Sequence, residues 1–394
     1  MNQSNEYDYI IVGAGSAGAV LAARLSEDPH TRVLLLEAGR ADHFYTRFPL
    51  SFGLLISHPG ANWLYESEPE AGTGNRRIPV PRGKLLGGSS AINGLVWVRG
   101  QPQDYDTWAS MGARGWSWRD VAPLFDRIED FEVANAKGRG HGGPLHVSIV
   151  PDQNMLYDAL FSAAEQAGYR VNPDYNGLDQ DGIGKTQASI KHGRRMSVAH
   201  CYLKPATRRS NLRVVTQAPV RRVLLEGSRC AGVVYQQHGR QIEVRASREV
   251  ILCAGAVATP QLLELSGIGR PEILEAHGIG VRHALPAVGE NFRDHINARV
   301  SWQVNDSRAS YNLRARGVNK LGEAWKYLTS RGGFISLPSA PVVAFLKTRG
   351  DLPTPDVQMH LVPYSLKDPQ RRILHDKPSM AITCYQLRPE SLGS

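Results

Sequence analysis

Residues Gly13-Ala14-Gly15-Ser16-Ala17-Gly18, with Glu37 closing the segment that follows, constrain this chain more than any other feature. Residues 7–12 form a short apolar run of the kind a buried parallel strand needs. The glycines come directly after it. Gly13 permits a tight turn, Gly15 lets backbone approach a pyrophosphate, and Gly18 allows a helix to pack closely on the strand. Residues 19–26 read as that helix, its N-terminal N–H groups and dipole facing the phosphates. Residues 32–36 are a second apolar strand. Glu37 lies 19 residues after Gly18, where a carboxylate can accept hydrogen bonds from both ribose hydroxyls. A glycine triplet alone is a weak signal; strand, turn, helix, strand and acid in that order are a strong one. The alternative is a glycine-rich turn that binds nothing.

With 394 residues, 42% of them hydrophobic and 21% charged, the chain has the composition of a soluble globular protein and room for two domains. It contains no stretch of about 18 apolar residues, so no spanning helix is expected. Residues 1–7 are polar and lead straight into the first strand, which leaves no room for a signal peptide. A cytoplasmic location, or a peripheral one at a membrane, is the expectation. The net charge of +9 is scattered in pairs such as Arg76-Arg77, Arg194-Arg195, Arg208-Arg209 and Arg221-Arg222, without interleaved aromatics. That pattern argues against a nucleic-acid partner and leaves room for attraction to anionic phosphates or lipid surfaces. Cys201, Cys230, Cys253 and Cys384 form no C-x-x-C pair and have no metal-ligand spacing, so reduced thiols and no metal site are expected.

Residues 41–82 are irregular, rich in Pro, Gly and aromatics, and too long for a plain connection; such a segment is expected along a ligand. Residues 83–94 are dense in Gly and Ser, which lets backbone amides converge on something negative or planar; a surface loop is the alternative. Residues 116–131 look helical, with Trp118-Arg119-Asp120 at the start. Residues 137–143 are a glycine-rich break, and residues 155–167 carry apolar residues at helical spacing. From Leu212 the pattern changes to short strands, 212–216, 220–225, 231–235 and 241–246, which read as an antiparallel meander. Residues 250–256 repeat the strand-to-glycine theme and lead into a helix over 259–266, with Pro260 in its first turn. A meander inserted between parts of one parallel sheet suits a flavin-type dinucleotide fold better than a simple nicotinamide domain. Residues 299–304 and 356–362 are further strand-like runs.

These motifs, in this order, resemble the glucose–methanol–choline (GMC) oxidoreductases, closest to their choline dehydrogenase and alcohol dehydrogenase branch. After Gly13–Gly18 with Glu37-Ala38-Gly39 come Asn62-Trp63-Leu64-Tyr65 with Glu68-Pro69. Then come Gly87-Gly88-Ser89-Ser90-Ala91-Ile92-Asn93-Gly94 with Arg99-Gly100, and Gly193-Arg194-Arg195-Met196-Ser197 with Tyr202-Leu203. Cys253-Ala254-Gly255-Ala256 with Thr259-Pro260-Gln261, Ser266-Gly267-Ile268-Gly269, and Leu285-Pro286-Ala287-Val288-Gly289-Glu290-Asn291 with Asp294-His295 complete the series. The resemblance implies an α/β (α+β) fold: an FAD-binding Rossmann-like domain with an inserted β-meander, over residues 1–150 and 205–296. A smaller, incomplete antiparallel-sheet substrate domain would take residues 151–204 and 297–394.

The implied cofactor is FAD. Its contacts would come from Gly13, Gly15, Ser16, Ala17, Gly18, Glu37, Ala38, Trp63, Arg82, Gly87, Gly88, Ser89, Asn93, Gly94, Leu95, Val96, Val220, Ala254 and Gly255. Asn93 and Gly94 would lie near the reactive edge of the flavin. Some relatives tether the flavin through a His; Ile92 stands at the matching position, so the flavin is expected to be non-covalent. The implied reaction is oxidation of an alcohol, choline-like or another primary alcohol, with a base taking the hydroxyl proton and hydride passing to flavin N5. The electron acceptor (oxygen, a quinone or a dye-like molecule) and the oligomeric state stay open. Trp302, Tyr311, Trp325 and Tyr327 lie in the region expected to line a substrate pocket, and an aromatic cage for a trimethylammonium group would need such rings. The family's catalytic His and its His or Asn partner would lie beyond Ser394, and none of the 13 histidines here matches them. The expectation is therefore an incomplete member of poor solubility, with catalytic residues unassigned. A non-catalytic FAD-binding fragment, or a lyase or decarboxylase on the same fold, are the other readings.

Overall fold

The computed structural model describes residues 6–368 and 373–394. The elements that position the site are, in chain order, β1 (Glu6–Val12), α1 (Ser16–Leu25), β2 (Val33–Leu36), α2 (Trp118–Ile128), α3 (Met155–Gln166), β3 (Gly182–Lys185), β4 (Leu212–Val215), β5 (Val220–Glu226), β6 (Arg229–Gln237), β7 (Arg240–Leu252), α4 (Gly255–Leu265), β8 (Asn297–Gln303), α5 (Asn319–Ser330), β9 (Val342–Leu346), β10 (Val357–Val362) and β11 (Ser379–Gln386).

A six-stranded sheet in the order β4-β2-β1-β7-β6-β5 carries the glycine motif. β2 and the last three residues of β1, Ile10 to Val12, are apolar and buried on both faces, as a parallel sheet covered on both sides requires. Ile11, Val33 and Leu35 pack on α1 and on residues 201–203. Ile10, Val12, Leu34 and Leu36 pack on Val233, Val244 and Leu262 from the other side. Each such aliphatic side chain removed from water contributes about 1.5–3 kcal/mol.

Three expectations are corrected here. β4 is not part of a meander: it pairs parallel to β2, Leu212 opposite Val33. Its short apolar run fits a parallel strand at the sheet's edge as well as a hairpin strand, and the strand's partner decides. The runs 241–246 and 250–252 are one strand, β7. Its first half pairs antiparallel with β6, and from Arg245 onward it pairs parallel with β1. Polar Ser247, Arg248 and Glu249 stand in the middle because the strand is exposed there; Ser247 and Arg248 both engage Asp8. Finally, α4 starts at Gly255, directly off β7, so Pro260 lies inside the helix rather than in its first turn. The helix expected over 116–131 is α2, and Glu129–Phe131 continues as a short strand parallel to Leu145–Ile149.

The second sheet is antiparallel, in the order β8-β11-β10-β9-β3. α3 covers one face, with Tyr157, Leu160 and Phe161 on Val342, Ala344 and Leu361. The opposite face carries Val343 and Phe345 against Tyr175, Val96 and Val98. β8 forms an edge on which every residue is exposed. Between the two sheets lies a buried polar network. Glu129 accepts from Arg139 (2.6 and 2.8 Å), from Arg99 (2.6 Å) and from the Trp97 indole (2.7 Å), and Arg139 also reaches Gln187 and Asp174. Burial pushes the Glu129 carboxyl up, but the hydrogen bonds and charges of Arg139 and Arg99 outweigh it and hold it below its ordinary value.

Candidate functional site

A cavity of about 570 Å³ opens where β1, β2 and β7 end, with Val12, Leu36 and Leu252 in its wall. The carboxyl edge of a parallel sheet is where such folds place ligands. Two helices begin at this cavity. The residues before them, Gly15 ahead of α1 and Ala254 ahead of α4, offer no side-chain cap, and neither helix has an acid in its first turn. Their first N–H groups are left for a ligand, and both positive helix ends favour an anion.

Backbone approach makes the cavity's shape. A Cβ on Gly18 would lie 1.9 Å from the Gly13 carbonyl oxygen, so only glycine lets α1 pack against the turn that feeds it. A Cβ on Gly88, whose φ is +51°, would lie 2.7 Å from the Gly15 Cα. The two glycine segments therefore touch, and the Gly87 N–H donates to the Ala14 carbonyl (2.8 Å) to lock them together.

Glu37 is buried at the edge of the cavity. Its two oxygens accept from the Ala14 N–H (2.9 Å) and the Gly39 N–H (2.8 Å), and each keeps acceptor capacity for a second donor. Burial raises its carboxyl pKa, and the N–H groups of Gly39 and Ala14 and the charge of Lys84 oppose that rise. Trp63 and Tyr65 stack with ring planes 5° apart, and Lys84 Nζ sits 4.3 Å from the Trp63 ring centre.

Of the residues expected from sequence, Gly13, Gly15, Ser16, Ala17, Glu37, Ala38, Trp63, Arg82, Gly88, Ser89, Val220, Ala254 and Gly255 line this cavity. Gly18, Gly87, Asn93, Gly94, Leu95 and Val96 do not. Gly18 and Gly87 act in the packing just described. The Leu95 side chain is buried with Ala188 and Ile190, and Val96 bridges to Ala188. Tyr65, Ala218, Pro219, Cys253, Thr259 and Gln261 also line the cavity and were not anticipated. Thr259 and Gln261 were hidden by the late start assigned to α4. Tyr65 had a signal in the Asn62-Trp63-Leu64-Tyr65 motif; the strand alternation rule does not supply it, because Leu64 between the two rings has a φ of +58°.

The four aromatics of the expected cage do not converge. Tyr311 and Tyr327 are buried with their hydroxyls bonded, Tyr311 to Asp152 and Tyr327 to the Gly193 carbonyl (3.0 Å). Trp302 on β8 and Trp325 on α5 are exposed. Core packing and surface position account for all four. Among the described residues no histidine lines the cavity. His200 Nδ1 is 3.1 Å from the Ser197 hydroxyl, and His295 is exposed beside the Leu387 carbonyl. His360, not singled out from sequence, stands on the same face of the second sheet as Val343 and Thr383. It is bonded to Gln358 (2.9 Å), and its ring centre is 4.9 Å from that of Tyr385. Burial pushes its imidazole down to about 4.

Residues 7–297 match the family model described as GMC oxidoreductase. The oxygen-dependent choline dehydrogenase of Paraburkholderia xenovorans (strain LB400) is 40% identical over 370 residues, 92% of this chain and 66% of that protein. The mitochondrial choline dehydrogenase of Mus musculus is 38% identical over 376 residues, 93% of this chain and 63% of that protein. Among solved structures, pyridoxine 4-oxidase from Mesorbium loti superposes with a TM-score of 0.85 at 30% identity, covering 98% of this chain and 72% of that one. A formate oxidase gives a TM-score of 0.89 at 23% identity, covering 99% and 74%, and shares the fold. The chain thus spans just under two thirds of the length of these curated relatives.

Proposed function

This chain belongs to the GMC oxidoreductase family, and from that we propose that its cavity holds FAD, without a covalent tether, in the service of alcohol oxidation. The observation that carries the reading is the cavity itself: two uncapped helix N-termini converge on it, and a buried carboxylate stands at its edge. The fit is one of backbone shape. The cradle depends on Gly88, where an added Cβ would lie 2.7 Å from the Gly15 Cα. The N–H groups of α1 and of the Gly13–Gly18 turn would take the pyrophosphate. Glu37 would accept from ribose hydroxyls, and Ala218 to Val220 would lie along the adenine. Ala254 and Gly255 would close the cradle from the second helix. A bound flavin supplies a two-electron acceptor for the carbon-bound hydrogen of the alcohol. The residues of this chain bind and orient it and keep water from the sheet edge.

We assign the six-stranded sheet, with residues 1–150 and 205–296, to cofactor binding, and residues 151–204 and 297–394, with the antiparallel sheet, to the substrate side. The named relatives in Paraburkholderia and mouse favour choline or a similar primary alcohol as substrate. "Oxygen-dependent" in the bacterial name favours dioxygen as acceptor there, with a quinone or dye-like acceptor as the alternatives. Among the described residues no helix is long and apolar enough to cross a membrane, and a cytoplasmic or membrane-peripheral location is the matching proposal.

The purified chain tests this directly. Its visible spectrum, recorded before and after anaerobic addition of an alcohol panel that includes choline, is expected to show a flavin that bleaches. Absence of flavin after incubation with FAD overturns the cofactor assignment. A flavin that never bleaches supports a second reading, FAD binding without alcohol oxidation. One observation favours that second reading: among the described residues no histidine lines the cavity to serve as base.

A further inference from the structure

Arg195 is a buried cation with an unusual set of partners. It is 1% exposed. Its Nη1 donates to the carbonyls of Asn93 (2.7 Å) and Ser90 (3.3 Å) and to Asn93 Oδ1 (2.9 Å), and its Nη2 donates to the Pro49 carbonyl (3.2 Å). Its Nε has no partner, and among the described residues no carboxylate offsets its charge. Burial pushes the guanidinium down to about 9, and the four oxygens keep it charged at neutral pH. A buried charge without an ion-pair partner is costly, so what it holds is informative.

What it holds is Asn93. Asn93 Oδ1 accepts from Arg195 and from the Leu95 N–H (3.2 Å), so the amide cannot flip without setting donors against donors. The amide NH2 is therefore the outward end, on a residue that is exposed. The neighbouring backbone is fixed as well. The Asn93 N–H donates to the Ser89 carbonyl (2.9 Å), and the Gly94 carbonyl accepts from the Ser339 N–H (2.9 Å). Leu95, without being glycine, is held at a φ of +69°. Asn93 thus stands where the segment that lines the cavity at Gly88 and Ser89 passes to the strand bridged to Ala188.

We propose that Arg195 is a positioning residue. From behind, it clamps the Asn93 amide so that its NH2 is presented as a pair of fixed hydrogen-bond donors to an oxygen or nitrogen acceptor on the ring end of the bound cofactor. This rests on the reading of the cavity as an FAD site. Arg195 itself touches neither cofactor nor substrate.

The test uses the full chain with R195M, R195K, N93A and the R195M/N93A double variant. The first readout is the FAD dissociation constant from flavin fluorescence. R195M and N93A are each expected to weaken binding about tenfold, the loss of one charge-assisted contact. The double variant is expected to bind no worse than the weaker single one, since both remove the same contact. R195K keeps the charge but not the fork, and is expected to recover thermal stability without recovering affinity. The second readout needs no cofactor. Asn93 precedes Gly94, and an unrestrained Asn-Gly pair loses ammonia as the glycine nitrogen attacks the side-chain carbonyl. Peptide mass spectrometry is expected to show that loss at Asn93 accelerated about tenfold in R195M, the freedom released by one charge-assisted bond. Independent, multiplying effects of R195M and N93A on affinity overturn the proposal, and so does an unchanged deamidation rate. If the unmodified chain binds no FAD, the cofactor reading fails while the deamidation comparison still decides the clamp. If R195M does not fold, R195K and N93A carry the affinity readout and R195K alone carries the deamidation readout.

Discussion

The two halves of the molecule hold their shapes by different means. Around the six-stranded sheet the work is done by backbone: touching glycines, two bare helix ends and one buried carboxylate that itself binds backbone N–H groups. From Trp97 toward the antiparallel sheet it is done by side chains: Arg99, Glu129, Arg139, Asp174 and Gln187 bond one another in the interior. The first arrangement tolerates no added atom, and the second tolerates no lost one. Recognition by backbone leaves a record in glycine spacing, whereas a side-chain network assembled from distant segments leaves none.

Breaking the network tests the contrast most severely. R139M leaves Glu129 buried without the two hydrogen bonds of Arg139, and it is expected to cost about 3–5 kcal/mol in urea unfolding. If the loss is under about 1 kcal/mol, the side-chain half is not held as described. E37Q replaces one accepting oxygen by a donor facing backbone N–H groups. It is expected to weaken FAD binding by about 1.5–3 kcal/mol, read by titration. G88A probes the backbone half by adding a single carbon 2.7 Å from the Gly15 Cα. We expect about 1–3 kcal/mol of strain and a larger drop in FAD retention than in the thermal midpoint. His360 sharpens the comparison through pH. Its imidazole falls from an ordinary 6.5 to about 4 in the folded chain, so the unfolded chain binds the extra proton between those values. The stability it allows is full above pH 6.5 and is lost as pH falls toward 4. H360Q should therefore lose roughly 1 kcal/mol less than the unaltered chain over the unit of pH below about 6.5, measured by urea unfolding at each pH. The smallest effect belongs to exposed Trp302 on the edge strand. W302K is expected to change stability by less than about 0.5 kcal/mol while raising the concentration at which light scattering begins.

The cofactor end was legible because its chemistry is local. Gly13, Gly15, Gly18 and Glu37 fall within one β-α-β unit, and their spacing is dictated by a turn, a helix and a ribose. Gly88 and Ser89 were found by composition and resemblance, and they meet Gly15 through a contact no spacing announces. Strand direction was not legible. Leu212 to Val215 has the same apolar content whether its neighbour is a hairpin partner or parallel β2. The continuity of β7 was masked by Ser247, Arg248 and Glu249, which read as a turn and instead lie exposed in mid-strand. Pro260 suggested a helix start because proline is most at home there; α4 accommodates it in its interior instead. Arg195 gave no sign of its surroundings, since an arginine in a basic pair is ordinarily solvated.

The handover along β7 has a consequence for how the molecule can be altered. Its 13 residues reach about 43 Å at roughly 3.3 Å each, with one end in the hairpin beside β6 and the other in the cavity wall at Leu252. The turns at Gly227 and Gly239, both with positive φ and open space around them, lie at the two ends of that projecting hairpin unit. The unit meets the cavity at two points, Leu252 on β7 and Val220 on β5. A dye or affinity peptide grafted at Gly227, beyond the end of β5 away from Val220, would report on the orientation of the whole molecule without entering its working parts. Lengthening β5 and β6 by matched pairs of residues at that turn would extend the hairpin and leave Val220 and Leu252 in register.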